Sequence, residues 1–277
     1  MSQRFDGKSV IVTGASAGVG AAVARAFAAE GARLMLVARR REPLQAMAEE
    51  LGDTTKVETF ALDVADTAGC RDLIKKTVYE FGCVHYLVNN AGAHFRGNFE
   101  AVSVDEIAAM VDVNLRAPLV LARLALDAIR EAGGGAIVNV ASLAGTTPVP
   151  GSATYSATKF GLRAFTLALA DELAGSNVRV GAVSPGPIDT GFIMDDIDGV
   201  SDLTFSQPMS TAEQVAEAVL QVALDGDIDI KMPAMSGRLA TAGYLFPALK
   251  RALRPMLEKK GRKAKTFYKE RAAKGES

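Results

Sequence analysis

Cysteine is scarce in this chain. Cys70 and Cys83 are the only two in 277 residues, and neither has a second Cys or a His at ligand spacing. That excludes a disulfide framework and a thiolate zinc site, and it predicts two reduced, structural thiols. Histidine is equally sparse: His85 falls in a strand pattern and His94 in a loop, each without a partner at metal spacing, so no metal centre is expected. No uninterrupted apolar run approaches the ~18 residues of a membrane span, and the opening Met1-Ser2-Gln3-Arg4-Phe5-Asp6-Gly7-Lys8 carries no signal-like stretch. A cytoplasmic location is the expectation. Net charge is lacking too. A total of −1 gives no whole-molecule reason to expect nucleic acid as a partner.

That small total hides an uneven distribution. Residues 250–277 hold 11 Lys or Arg against three Glu, a local excess of +8, so residues 1–249 carry −9. The tail is a compositional block of its own. What the chain has in quantity is apolar surface, 49% of its residues, enough for the core of an enzyme-sized globular protein.

Short β-rich runs at 9–13, 33–38, 56–62, 85–89, 136–141, 178–184 and 228–232 alternate with helical patterns at 21–29, 44–51, 70–81, 104–130, 155–173 and 212–224. Such alternation predicts parallel strands with crossover helices. Runs such as Val10-Ile11-Val12 and Leu34-Met35-Leu36-Val37 are apolar on both faces, as in a buried sheet. Ser103 with Glu106 and Ser210 with Glu213 have the spacing of capping boxes at two helix starts. The expected fold is α/β, one doubly wound parallel sheet of about seven strands.

After the first strand comes Thr13-Gly14-Ala15-Ser16-Ala17-Gly18-Val19-Gly20. Glycines there permit a tight turn and let phosphate oxygens approach backbone N–H groups at the positive end of a helix, as a dinucleotide pyrophosphate requires. Ser16, Ala17 and Val19 share that turn. The end of the second strand ordinarily supplies an acid to the adenosine ribose; here it is Ala38, followed by Arg39, Arg40 and Arg41. With no carboxylate to repel a 2′-phosphate and Arg39 able to bind one, NADP is favoured over NAD.

Tyr155 and Lys159 lie one helical turn apart, so an ammonium at 159 can approach a phenol at 155. The cation should lower the phenol's pKa from its ordinary ~10, bringing proton exchange with an alcohol or carbonyl nearer neutral pH.

Together these residues resemble the short-chain dehydrogenase/reductase family over roughly residues 5–232. The resemblance rests on Thr13-Gly14-x-x-x-Gly18-x-Gly20, Asp63 after the third strand, Asn89-Asn90-Ala91-Gly92 after the fourth, Asn114, Ser142, Tyr155-x-x-x-Lys159 and Pro185-Gly186-Pro187-Ile188-Asp189-Thr190. It implies a Rossmann-like fold and carbonyl–alcohol interconversion. Asp63 and Val64 would contact the adenine, Asn90 and Gly92 border the adenosine ribose, and Ile188 and Thr190 hold the nicotinamide carboxamide, with Ala91, Pro185 and Gly186 also in the cofactor site. Tyr155 would be the general acid/base, Ser142 would orient the substrate oxygen, Lys159 would bind the nicotinamide ribose, and Asn114 would hold a water linking Lys159 to solvent. The family often assembles through its long fifth and sixth helices, which implies a homodimer or homotetramer. A non-catalytic NADPH-binding sensor or scaffold is the rival reading.

Residues 191–209 form a long segment that in the family covers the substrate. Its Phe192 and Met194, together with His94, are the expected substrate contacts. We read residues 1–235, including this loop, as the catalytic unit and 236–277 as a basic amphipathic extension. In the extension Leu245, Leu249, Leu253, Met256 and Leu257 recur at helical spacing among Lys and Arg, with Pro247 and Pro255 expected to interrupt the helix. Two roles stay open for it: packing on the protein or a second subunit, and peripheral contact with an anionic membrane.

Overall fold

The computed structural model describes residues 3–273, with the side chains of Leu249 and of residues 272 and 273 outside the described set. Seven strands run β1 (Ser9–Thr13), β2 (Arg33–Ala38), β3 (Val57–Ala61), β4 (Tyr86–Asn89), β5 (Gly135–Val140), β6 (Val178–Pro185) and β7 (Asp229–Met232). They form one parallel sheet in the order β3-β2-β1-β4-β5-β6-β7. Chain direction across the sheet reverses between β1 and β4, so the crevice at the carboxyl ends of those two strands is the place where such sheets bind ligands.

Side chains alternate across the pleat, and both faces are apolar. Val10, Val12, Leu34, Leu36, Val88 and Val138 enter one core with helices α1 (Gly18–Ala29), α2 (Arg41–Gly52) and α8 (Ala212–Asp225). Ile11, Met35, Val37, Leu87 and Ile137 enter the other with α3 (Thr67–Phe81), α5 (Ala117–Glu131) and α6 (Ala153–Glu172). Cys70 is buried there and free, and its thiol is pushed up to about 11 by burial, as expected of an inert structural cysteine. His85 is buried too; its Nδ1 accepts from the Ser9 backbone N–H at 3.2 Å, and burial lowers its pKa.

Three local expectations change for identifiable reasons. The pattern at 104–130 is helical throughout, α4 (Val104–Val111) continuing into α5 through a π turn at Asp112–Arg116. Asn114 sits in that turn with its amide committed to the Ala93 backbone, which draws the helix out of regular i→i−4 bonding. The second capping box is Thr211 with Gln214, one residue later than the pattern suggests. Ser210 is instead buried and extended, paired to Ile188 in a parallel bridge. The Ser103 and Glu106 box forms as expected.

The third change concerns the tail. After α9 (Ala234–Leu245), helix α10 runs without interruption over Pro247–Ala273. Pro247 opens it, where a missing N–H costs nothing, and the helix passes through Pro255 because its inner face is held down beyond that point. Ala264 and Tyr268 pack on Ile193, Val200 and Phe205, a small separate core under residues 191–209. Lys265 donates to the Asp198 and Val200 carbonyls, Arg262 pairs with Asp202, Lys269 with Asp198, and Arg271 with Asp189. Gly261 is pressed so close that a Cβ there would lie 1.7 Å from the Asp202 carbonyl oxygen.

Candidate active site

One continuous cleft of about 2000 Å³ runs from the glycine turn after β1, past the carboxyl ends of β4, β5 and β6, to the start of α10. Its first wall follows from the glycines. Gly14 adopts φ +67° and Gly18 φ +52°, and a Cβ on Gly20 would lie 2.1 Å from the Gly14 carbonyl oxygen, so no side chain fits in the turn. Asn90 braces it: Nδ2 donates to the Thr13 carbonyl at 2.9 Å and to the Gly14 carbonyl at 3.3 Å. Thr13 Oγ1 accepts from the Asn90 and Ala91 N–H groups.

Helix α1 then begins at Gly18 with no capping side chain and no acid in its first turn, leaving its N–H groups free for an anion. Gly14, Ser16, Ala17, Gly18, Val19 and Gly20 all line the cleft. So do Arg39, Arg40, Asp63, Val64, Asn90, Ala91 and Gly92. Arg39 and Arg40 are exposed and make no ion pair with a described residue. A glycine cradle at a helix N-terminus with exposed cations nearby is the donor set that the phosphates of a nicotinamide dinucleotide need, and the residues present fit such a cofactor.

At the centre, Ser142, Tyr155 and Lys159 line the same cleft, together with Pro185, Gly186, Ile188 and Thr190. Ser142 ends the β5 strand run and caps the short turn Leu143–Gly145, its Oγ accepting from the Ala144 N–H at 3.1 Å. That turn sits directly on α6: a Cβ on Gly145 would lie 2.5 Å from the Lys159 carbonyl oxygen. The close approach sets Ser142 beside Tyr155.

The electrostatics differ from expectation. Burial raises the Tyr155 pKa, while a hydrogen bond with Ser142 and the charge of Arg96 pull it back. Lys159 does not lower it; its ammonium donates to the Val140 carbonyl at 2.8 Å and lies 5.8 Å from the Tyr155 ring centroid. Both groups are shielded from water, so each favours its neutral form, and the Lys159 pKa is lowered to about 8. Between about pH 8 and the unfolded lysine's ~10.4, the unfolded chain binds more protons here than the folded one. Stability therefore rises with pH across that window, and below it the penalty is constant. We expect Lys159→Met to raise apoprotein stability at pH 7 by about 2 kcal/mol after the lost hydrogen bond is counted, with the gain shrinking above pH 8. Urea unfolding of both proteins from pH 7 to pH 9.5 measures it.

Asn114 is fully buried; Oδ1 accepts from the Ala93 N–H and Nδ2 donates to the Ala93 carbonyl, both at 2.8 Å, and to Thr158 Oγ1 at 3.3 Å. Its side chain ties the loop after β4 to α6 and does not line the cleft.

Among the expected substrate contacts, His94 and Phe192 line the cleft and Met194 does not. Met194, at the end of helix α7 (Gly191–Met194), packs against the small core of Ile193, Val200 and Phe205. The His94 ring stacks on Tyr155 with centroids 4.1 Å apart and planes 17° off parallel. Its Nε2 is 3.0 Å from Ser152 Oγ. Burial, then Arg96 and Lys159, lower its pKa to about 3, so the ring is neutral at ordinary pH.

Arg96 is a cleft residue that no sequence pattern marked. It donates to the Phe192 carbonyl at 2.6 Å, pairs with Asp196 at 3.2 Å and lies over the Phe192 ring, so it latches residues 191–209 to the loop after β4. The bases of that segment are joined by the Ile188 and Ser210 bridge. Gly145 was also missed, since only the close approach of two elements distant in sequence gives it meaning. Among the described residues no cluster of potential metal ligands occurs, and no helix is long and apolar enough to cross a membrane.

Comparison with known proteins agrees with this geometry. A family model for short chain dehydrogenases matches residues 8–199. D-Threitol dehydrogenase of Mycolicibacterium smegmatis is 39% identical over 183 residues, 66% of this chain and 70% of that protein. A ketoacyl reductase of Nostoc is 36% identical over 216 residues, covering 77% of this chain and 75% of its own. An uncharacterized oxidoreductase of Staphylococcus aureus is 34% identical over 214 residues, 77% of this chain and 91% of its own. With a glycine-turn cradle, a Ser, Tyr and Lys set in one cleft and a family match over most of its length, this chain belongs to the short chain dehydrogenase family, oxidoreductases that use a nicotinamide cofactor on small molecules.

Proposed function

We propose that the protein is an NADP(H)-dependent oxidoreductase that interconverts a carbonyl and a primary or secondary alcohol. The observation that carries the reading is the convergence of Ser142, Tyr155 and Lys159 on a cleft whose far end presents Arg39 and Arg40 in place of a carboxylate. The nicotinamide, when bound, supplies or accepts the hydride at the substrate carbon.

The chain's own residues do the rest. During reduction Tyr155 Oη gives its proton to the substrate oxygen, and Ser142 Oγ hydrogen-bonds that oxygen as charge develops on it. A raised Tyr155 pKa keeps the phenol protonated and ready to donate, which suits the reductive direction. Lys159 would hold the nicotinamide ribose and return a proton toward Tyr155; its lowered pKa of about 8 eases that transfer near neutral pH. Asn114 acts by position, fixing the loop after β4 against α6. Asp63, Val64, Asn90, Ala91 and Gly92 take the adenosine half, and Pro185, Gly186, Ile188 and Thr190 the carboxamide. His94 and Phe192 form the substrate wall opposite Ser142. Residues 1–235 carry the cofactor site and the proton-transfer groups, and the extension from 236 packs on residues 191–209 and lines part of the cleft. Helices α5 and α6 are the faces through which a homodimer or homotetramer would form.

The names of two relatives, a polyol dehydrogenase and a ketoacyl reductase, bracket the substrate class without choosing within it. The test is NADPH consumption across a panel of aldehydes, ketones, acyl substrates, steroids and retinoids. We expect turnover of at least one apolar carbonyl compound. Measurable NADPH binding with no consumption across the panel would favour the sensor or scaffold reading.

A further inference from the structure

Large exposed apolar side chains are not spread evenly over this protein. Of the sixteen among the described residues, eight fall between residues 235 and 267: Met235, Leu239, Tyr244, Leu245, Phe246, Leu253, Met256 and Phe267. On α10 the outward residues Leu253, Met256, Lys260, Lys263 and Phe267 recur at alternating spacings of three and four, so apolar groups and ammonium groups share one stripe. The inner face, with Ala264 and Tyr268, is already used against residues 191–209. Of the 11 Lys or Arg over 234–273, four pair inward with aspartates of residues 189–202 and Arg254 pairs with Glu258, while Arg238, Lys250, Arg251, Lys259, Lys260 and Lys263 make no ion pair with a described residue.

Three of the exposed residues, Met235 (62%), Leu239 (63%) and Tyr244 (55%), also line the catalytic cleft. Arg251, Arg254 and Lys260 line it beside them. The cleft and the apolar, basic face therefore share residues, and Pro148, Val149, Phe192 and Tyr155 line the same cleft.

We propose that α9 and the outer side of α10 dock on an anionic membrane surface, and that the cleft takes an apolar carbonyl substrate directly from the bilayer. Long cationic side chains flank the apolar groups and reach headgroups while Met256, Leu253 and Phe267 enter the interface. A second copy of this chain is the poorer occupant, because a two-fold contact would set a strongly basic face against itself. The delivery part rests on the oxidoreductase reading above; the docking part does not.

Flotation with vesicles of phosphatidylcholine alone and of phosphatidylcholine mixed with phosphatidylglycerol tests docking without any turnover. The full chain should float with the anionic vesicles only, less so in high salt, and Met256→Asp with Phe267→Asp should reduce partition at least about tenfold. A second variant, Lys259→Glu with Lys263→Glu, should do the same, and the thermal unfolding midpoint and NADPH binding establish that each variant is folded. Absence of flotation, equal flotation with neutral vesicles, or a dimer that the substitutions dissociate without any vesicle binding would overturn the proposal.

For delivery, the rate on a long-chain ketone carried in the anionic vesicles is compared with that on a short water-soluble ketone. The ratio should rise several-fold on docking in the wild type and stay flat in the variants. A flat ratio in the wild type overturns delivery. Turnover of neither ketone sinks the oxidoreductase reading itself, whatever flotation shows.

Discussion

Tyr155→Phe is expected to lower kcat for carbonyl reduction by about 10³-fold, in the range general acid catalysis supplies, while changing the NADPH dissociation constant less than about threefold. The substitution removes one oxygen and keeps the ring. Stacking on His94 at 4.1 Å is retained, so the cleft keeps its shape and the cofactor end is untouched. What disappears is the proton donor that hydrogen-bonds Ser142; His94, with a pKa of about 3, is neutral and committed at Nε2 to Ser152, so it cannot substitute. Steady-state kinetics paired with NADPH fluorescence titration separate the two effects. Wild-type turnover in the variant would mean that the proton comes from elsewhere, and a parallel loss of NADPH binding would mean that the residue shapes the cofactor site instead.

Arg39→Asp should reverse cofactor choice. Loss of a charge-assisted hydrogen bond to the 2′-phosphate costs about 1.5–3 kcal/mol, which is roughly 10- to 150-fold in kcat/KM for NADPH. The new carboxylate adds repulsion to that phosphate and can accept from the ribose hydroxyls of NADH. The NADPH to NADH ratio in kcat/KM should therefore fall by at least about 100-fold. Arg39 is exposed at the cleft's edge, so the fold itself should tolerate the change. A wild-type enzyme that already prefers NADH would remove the assignment before any variant is made.

The glycine turn, the strands and the Tyr155 and Lys159 pair were legible in the sequence because each is local: spacing along a few residues fixes which groups share a turn or a helix face. Element ends moved where a distant partner intervened. Ser210 was drawn into a bridge with Ile188, which handed the helix cap to Thr211. Asn114 is held by Ala93, where the long helix passes through a π turn. Met194 has the composition of a substrate contact, and only the packed structure shows that it lies against the small core of Ile193, Val200 and Phe205 and outside the cleft lining.

Proton affinities were the least legible property. From spacing alone an ammonium near a phenol predicts an acidified tyrosine, and that is sound for two groups in water. In the folded protein both are shielded, desolvation acts on each, and Lys159 turns to the Val140 carbonyl. The tail shows the same division. Its charge and apolar spacing were plain in the sequence, but not that Gly261 would let α10 lie on Asp202, nor that Met235, Leu239 and Tyr244 would line the catalytic cleft.

By itself the sequence determined the parallel sheet, the phosphate-binding turn, the residues equipped for proton transfer and the separate character of the basic tail, because periodicity, glycine placement and side-chain chemistry act over short stretches of chain. Tertiary structure alone decided which of those groups meet, which are shielded from water and where the cleft opens, because distances between elements far apart in sequence, and the dielectric around them, exist only once the layers have packed.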